Sequence, residues 1–289
     1  MTTPRSPEIM SHSFADGTAL RTLRWPASSP SGDVLLIQHG LGEHGGRYQT
    51  WADALAEESL EIISFDARGH GASGGPRGHA EQGLFTLAND LAHVLAWVKE
   101  RPGVTRIFLA GHSLGAAVVL TYLTSRIPDP AIAAVIISAP PILVPQSPVL
   151  RLKLAAGRVL HRLMPGLTMP TGLAPEAISA VKEEVERYRN DPLVHALASV
   201  SLGVGAVDQS AKLPQVSDRI TLPLLIVQGD ADPLVDVEGT RRLVRALKNA
   251  NVTYREFKGG MHELHHDAPE RRQELFALLR NWLGARRAA

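Results

Sequence analysis

The residues Gly111-His112-Ser113-Leu114-Gly115 stand directly between an apolar run, Ile107-Phe108-Leu109-Ala110, and a small-residue stretch, Ala116-Ala117-Val118-Val119-Leu120. A buried strand, a Gly-x-Ser-x-Gly turn and a helix start, in that order, form a sharp bend that lifts a serine hydroxyl clear of a sheet. The glycines leave room where a Cβ would clash. The helix start offers free N–H groups and the positive end of its dipole to a developing oxyanion. A structural serine in a glycine-rich turn would give the same five letters. The strand before it and the helix after it decide for Ser113 as the nucleophile.

The rest of the chain fits that bend. Short apolar runs alternate with longer helical patterns, which predicts an α/β fold with helices flanking a mostly parallel central sheet. Strands are expected at Val34–Gln38, Ile62–Phe65, Ile107–Ala110, Ala134–Ser138, Leu222–Gln228 and Thr253–Phe257, with an early hairpin between Met10 and Trp25. Helices are expected at Tyr48–Glu58, Leu84–Arg101, Ala116–Arg126, Glu238–Lys248 and Pro269–Leu283.

After Ala139-Pro140-Pro141 the alternation stops, and it resumes only near Thr221. Residues 141–217 are therefore expected to form an inserted helical cap, or lid, over the strand ends, with 1–140 and 218–289 making the core; ligands bind at strand ends in open α/β sheets. From Pro130 to Pro175 there is no Asp or Glu, while Arg151, Lys153, Arg158 and Arg162 are basic. On a helical wheel Arg151, Arg158 and Arg162 share one face, opposite Leu152, Val159, Leu160, Leu163 and Met164. The ordinary expectation is that this apolar face packs on the core. The sharper one is a lid making transient contact with an anionic membrane surface.

Composition removes other classes. The 289 residues carry a net charge of +1, with 44% hydrophobic and 20% charged residues, so nothing suggests a nucleic-acid partner. There is no cysteine, which excludes disulfides, thiolate metal sites and a cysteine nucleophile together. The start of the chain, Met1-Thr2-Thr3-Pro4-Arg5-Ser6-Pro7, lacks the apolar region of a signal peptide, and no apolar stretch reaches membrane-spanning length. A cytoplasmic location, with possible peripheral membrane association, is the expectation; the oligomeric state stays open.

A serine hydroxyl needs a base to take its proton, and the base needs an orienting acid. The apolar strand ending at Gln228 is followed by Gly229-Asp230-Ala231-Asp232-Pro233, and the strand ending at Phe257 by Gly259-Gly260-Met261-His262. Both loops fall at the same sheet edge as Ser113. Asp232 is preferred over Asp230 because it lies further into the turn, with Asp236 third. Asp230 is better placed to brace the turn. His262 is preferred over His265 and His266. Activity is then expected to rise with pH through the histidine's pKa, near neutrality. For the oxyanion, one N–H should come from Leu114 and the other from Leu41 in the glycine-rich stretch Gln38-His39-Gly40-Leu41-Gly42.

One motif points elsewhere. His262-Glu263-Leu264-His265-His266 matches the H-E-x-x-H zinc peptidase pattern, which works only on a helix. Here it follows a strand and two glycines, Pro269 comes soon after, and no third-ligand extension is present. No metal and no cofactor are expected.

Several stretches together resemble a known family. His39-Gly40-Leu41-Gly42-Glu43-His44-Gly45-Gly46-Arg47-Tyr48 is similar to the signature loop of monoacylglycerol lipases and lysophospholipase-like α/β hydrolases. Asp66-Ala67-Arg68-Gly69-His70-Gly71-Ala72-Ser73, Gly111–Gly115, Ser138-Ala139-Pro140, Asn190-Asp191-Pro192-Leu193, Gly229–Asp232 and His262–His265 add to it. The resemblance runs from Gln38 to the last helix and is weakest in the cap. It implies an α/β-hydrolase fold and cofactor-free hydrolysis of a fatty acyl ester of glycerol, a small lipid ester. It supports Ser113, Asp232 and His262 as a triad, with Leu41 and Leu114 as oxyanion donors. It further implies that Glu43, Arg47, Tyr188 and His265 line a pocket for the glycerol hydroxyls. Against that stands a plainer role for Glu43 and Arg47, as an internal ion pair positioning the oxyanion loop. A broader carboxylesterase or lysophospholipase would use the same triad, and a non-catalytic ligand-binding protein would share the fold.

Overall fold

The computed structural model describes residues 5–14, 16–29, 31–248 and 251–288. The first four residues, part of the stretch read for a leader, and residue 15 in the early hairpin lie outside the described residues.

Among the described residues ten strands run in chain order: β1 (Glu8–Ser13), β2 (Ala19–Trp25), β3 (Asp33–Gln38), β4 (Glu61–Phe65), β5 (Arg106–His112), β6 (Ile132–Ser138), β7 (Thr168–Pro170), β8 (Leu197–Ser199), β9 (Leu224–Gly229) and β10 (Val252–Phe257). Eight of them form one sheet in the order β1-β2-β4-β3-β5-β6-β9-β10. The β1–β2 and β2–β4 pairs are antiparallel, and every pairing from β4 through β10 is parallel.

The helices are α1 (Gln49–Ala54), α2 (Leu84–Glu100), α3 (Leu114–Ser125), α4 (Pro148–Leu163), α5 (Lys182–Asn190), α6 (Val200–Ser210), α7 (Leu213–Val216), α8 (Val237–Ala246) and α9 (Pro269–Arg287). Parallel strands are buried on both faces, so their side chains split by alternation into two cores. Val34, Leu36, Leu109, Val135 and Ile226 pack with α2 and α3 on one face. Leu35, Ile37, Phe108, Ile136 and Leu225 pack with α1 and α9 on the other. Arg68 braces the loops at one side of the sheet by pairing with Asp90 and Asp16 and donating to Thr18.

Two expectations are corrected. The helix expected from Tyr48 to Glu58 ends at Ala54: Leu55 leaves helical geometry (φ −105°, ψ 17°), and tighter turns from Ala56 N to Asp53 O and Glu58 N to Leu55 O carry the chain toward β4. The segment between β6 and β9 is not wholly helical, since β7 and β8 form an antiparallel pair within it.

A third correction concerns α4. Leu152, Val159, Leu163 and Met164 are 72%, 65%, 75% and 52% exposed, so the apolar face read from the wheel does not pack on the core. The helix is seated instead through Leu154 and Gly157, which are buried. A Cβ at Gly157 would come within 2.9 Å of Val204 in α6, so the glycine permits the close helix approach. Among the described residues no helix is long and apolar enough to cross a membrane.

Candidate active site

Ser113 sits between β5 and α3 with φ 53° and ψ −121°, backbone angles that cost a residue with a Cβ on the order of 1–3 kcal/mol. The surroundings hold it there. Ser113 N donates to Ser138 O at 2.9 Å, tying the bend to β6. A Cβ at Gly111 would lie 2.5 Å from Gly115 O, and one at Gly115 would lie 2.2 Å from Gln38 O. Both glycines are therefore demanded by backbone contact.

The loops after β9 and β10 bring the other two polar groups to the same edge. His262 Nε2 lies 2.9 Å from Ser113 Oγ, and His262 Nδ1 lies 2.7 Å from Asp232 Oδ2. Asp232 Oδ1 accepts from Leu234 N at 2.8 Å and Val235 N at 3.0 Å. Its Oδ2 also accepts from Gln228 Nε2 at 2.9 Å, and Gln228 Oε1 in turn accepts from Thr240 Oγ1 at 3.0 Å. Asp230 takes another part, accepting from Gly259 N at 2.6 Å and bracing the two loops together. Asp236 caps α8 through Glu238 N.

The electrostatics follow from this packing. Burial opposes the charged imidazolium of His262, but the charge and hydrogen bond of Asp232 outweigh it and raise the pKa above the ordinary histidine value. Burial likewise opposes ionisation of Asp232, and His262 with the Leu234 and Val235 N–H groups holds its pKa below the usual carboxylate value. His112, whose ring lies 4.8 Å from that of His262, is pushed down to about 4 by burial and by the neighbouring imidazole, so it stays neutral.

Opposite the hydroxyl runs the loop after β3. Gly40 lies so close that a Cβ there would be 3.2 Å from Ser113 Cβ. Leu41 and Leu114 both line the cavity above Ser113. Leu114 opens α3, so its N–H is among those a helix leaves without an internal acceptor. Gly42 has φ 76° and accepts from His195 N at 2.8 Å, which joins this loop to the chain before β8. His44 and Asp191 make a second tie, with Nε2 and Oδ2 2.9 Å apart.

A buried charge cluster lies behind the loop. Glu43 Oε1 accepts from Gly40 N at 2.6 Å and from Tyr48 Oη at 3.1 Å, while its Oε2 accepts from Arg47 Nε at 3.1 Å. Arg47 also donates to Glu263 and lies 3.2 Å from His266 Nδ1. Its guanidinium covers the Tyr188 ring at 4.6 Å. Burial and the nearby Glu263 oppose the charge of Glu43, and Arg47 overcomes them to hold its pKa low. Burial opposes Glu263 too, and Arg47 with His266 brings it well below the ordinary value.

The cavity measures about 240 Å³. It is lined by Ser113, His262, Leu41, Leu114, Glu43, Glu263 and Tyr188. The rest is mostly apolar and comes from the chain between β6 and β9, including Leu154, Met169, Val200, Gly203, Val204 and Val207. Arg47 and His265 are not among the lining residues, which corrects their expected direct place in the pocket. Arg47 is spent on the two glutamates. His265 is fully buried, stacked 5.3 Å from Tyr48, and neither ring nitrogen has a partner among the described residues. Burial and the adjacent His266 keep it neutral.

Glu263 and His112 also line the cavity and Gln228 holds Asp232, places that the motifs containing Glu263 and His112 do not give them. Gln228 carried a signal, as the one polar side chain in Leu224–Gly229. Glu263, His265 and His266 could bring ligand atoms within 4.8 Å of one another, the one such grouping among the described residues. They do not fit a cation. Arg47 already places its positive charge between Glu263 and His266, and His262 of the H-E-x-x-H pattern faces Ser113 from a loop.

An eight-stranded, mostly parallel sheet with a serine on the strand-to-helix bend and its histidine on a later loop defines a hydrolase of the α/β-hydrolase fold. The model of the serine aminopeptidase S33 family matches residues 29–269, and the chain belongs to that family. The monoglyceride lipase of Homo sapiens is 30% identical over 275 residues, spanning 95% of this chain and 89% of the relative. The monoacylglycerol lipase of Mycolicibacterium smegmatis is 33% identical over 273 residues, spanning 90% and 92%. Among solved structures, the monoacylglycerol lipase of Paleococcus ferrophilus superposes with a TM-score of 0.83 at 33% identity, covering 92% of this chain and 99% of that one.

Proposed function

We propose that this protein is a serine hydrolase that cleaves monoacylglycerols to fatty acid and glycerol through an acyl-enzyme. The observation that carries the reading is the two-ended cavity at Ser113, apolar beneath α4 and α6 and polar at Glu43, Glu263 and Tyr188. The kinship to enzymes named for this substrate supports it.

In this reading Ser113 attacks the ester carbonyl while His262 takes its proton, and Asp232 keeps the imidazole in the tautomer that accepts it. The Leu41 and Leu114 N–H groups receive the negative charge that develops on the carbonyl oxygen. His262 then protonates the departing glycerol oxygen, and water repeats the sequence on the acyl-enzyme. Residues 141–217 act as the cap that supplies the acyl trough, while 1–140 and 218–289 supply the catalytic groups. A site built to hydrogen-bond a polyol discriminates against analogues that leave its polar groups unpaired.

The exposed apolar face of α4 is the part of the cap that meets the lipid surface from which substrate is drawn. Arg151, Lys153 and Arg162 flank it, exposed, and suit anionic headgroups.

The test is a comparison of kcat/KM for a monoacylglycerol, lysophosphatidylcholine and a p-nitrophenyl ester of the same acyl chain. The monoacylglycerol is expected to lead. A simple ester far ahead would establish a general carboxylesterase, and the lysophospholipid in front would establish a lysophospholipase.

A further inference from the structure

The glycines of α4 and α6 differ in why they are glycine. Gly205, in α6, abuts α2's start: a Cβ there would lie 3.0 Å from Gly83 Cα. Gly157 meets Val204 in the same way at 2.9 Å. Gly203 has no such neighbour. Beyond its chain neighbours and the adjacent backbone of its own helix, a Cβ built on it comes no nearer than 4.0 Å to any atom, that atom being Ala198 Cβ. It sits in the interior of α6, where glycine is less favourable than alanine for want of backbone restriction. Neither packing nor a left-handed backbone requires it.

What Gly203 does face is the cavity. Val200, Gly203, Val204 and Val207 follow the spacing of one helical stripe, and all four line the space above Ser113. Met169 and Leu173 line it as well. The missing side chain is thus open volume in the middle of the apolar wall.

We propose that Gly203 sets the acyl-chain length this enzyme accepts, by leaving free the space that a longer acyl tail occupies. The inference rests on the acyl-ester hydrolase reading and extends it to one residue of specificity. A leucine at this position fills the opening and displaces about three or four methylenes of substrate. Each methylene kept from burial lowers kcat/KM about fourfold, which accumulates to a loss on the order of 10²-fold.

The experiment measures kcat/KM for p-nitrophenyl esters from two to sixteen carbons with the unsubstituted enzyme, Gly203→Leu and Gly203→Ala. Active sites are counted by fluorophosphonate labelling. Gly203→Leu is expected to lower the ratio of long-chain to short-chain kcat/KM by on the order of 10²-fold. Gly203→Ala, which adds one methyl group to an open position, is expected to shift the ratio slightly and to raise the midpoint of thermal unfolding by about 2 °C. An unchanged ratio in both variants, or an equal fall at every chain length with full labelling, overturns the proposal. If Gly203→Leu does not fold, the direction of the Gly203→Ala ratio decides. Because these esters carry no glycerol, failure of the monoacylglycerol comparison leaves this measurement intact, whereas absence of fluorophosphonate labelling in the unsubstituted enzyme refutes the hydrolase reading itself.

Discussion

Glu43 holds the backbone of Gly40 through a 2.6 Å hydrogen bond from Gly40 N to its Oε1, one residue before Leu41. Both of its oxygens are engaged within the protein, the second by Arg47. The carboxylate thereby fixes the loop that presents the Leu41 N–H, even though it also reaches the cavity wall. Glu43→Gln is expected to lower kcat about 10²- to 10³-fold, the scale of losing one oxyanion donor. The fall should be as large for p-nitrophenyl acetate as for a monoacylglycerol. Steady-state kinetics on the two substrates check this; a change confined to KM for the glycerol ester would assign Glu43 to leaving-group binding instead.

Arg47 places its positive charge between two buried carboxylates, with the arginine, Glu43 and Glu263 side chains 7%, 3% and 4% exposed. Removing one partner from a buried ionic group leaves charge without compensation and costs about 3–5 kcal/mol. Arg47→Met is expected to lose stability on that scale in urea unfolding at neutral pH. The pH dependence carries a sign. With Arg47 present both glutamates have lowered pKa values, so their stabilisation is present above the ordinary glutamate value of 4.5 and is lost as pH falls through the depressed values. Without the arginine, the largest charge opposing burial is gone, and both pKa values are expected to rise. The folded variant then binds more protons than the unfolded chain, and its deficit should shrink on acidification toward pH 5.

In the proposed reaction His262 must be neutral to take the Ser113 proton, and Asp232 raises its pKa. Activity should therefore disappear as pH falls through a midpoint above the usual 6.5 of a histidine. In Asp232→Asn the raising interaction is gone and burial lowers the pKa, so the acidic limb moves to lower pH. At the same time kcat should drop about 10⁴-fold, because the tautomer is no longer held. A profile of kcat/KM against pH for the two proteins separates these effects, and fluorophosphonate labelling of Ser113 should slow in parallel.

The parts of this arrangement that were legible in the sequence are those set by local chemistry. The β9 stretch Leu-Leu-Ile-Val followed by a turn, and the glycines bracketing Ser113, reflect constraints within a few residues. Glu43 and Arg47, four apart, could be paired on the same ground. Glu263 could not, because it meets Arg47 across 216 positions of sequence. The three-residue strands β7 and β8 are shorter than any periodicity can register, and one ends in a proline. For α4, the pattern gave the amphipathic axis and missed which side is covered. Hydrophobicity favours Leu152 and Leu163, but the contact with α6 is made through Gly157, whose value is its lack of a side chain. Likewise His265 reads like a pocket group beside His262, and only the fold shows it turned under Tyr48.

That uncovered side of α4 leads to the last expectation. Val149, Leu152, Val159 and Leu163 lie at helical spacing along the outer face, each more than half exposed. Since they make little of the protein's own core, charged substitutions there should change folding stability by no more than about 0.5 kcal/mol. Burying one leucine in a lipid interface contributes at least about 1.5 kcal/mol, or a tenfold change in partition. Leu152→Glu and Leu163→Glu are therefore each expected to weaken co-sedimentation with anionic phospholipid vesicles about tenfold or more. Hydrolysis of a water-soluble p-nitrophenyl ester should stay as it was, and turnover of vesicle-borne monoacylglycerol should fall with binding. Equal binding of variants and parent, or no preference for anionic over zwitterionic vesicles, would show that the face serves another purpose.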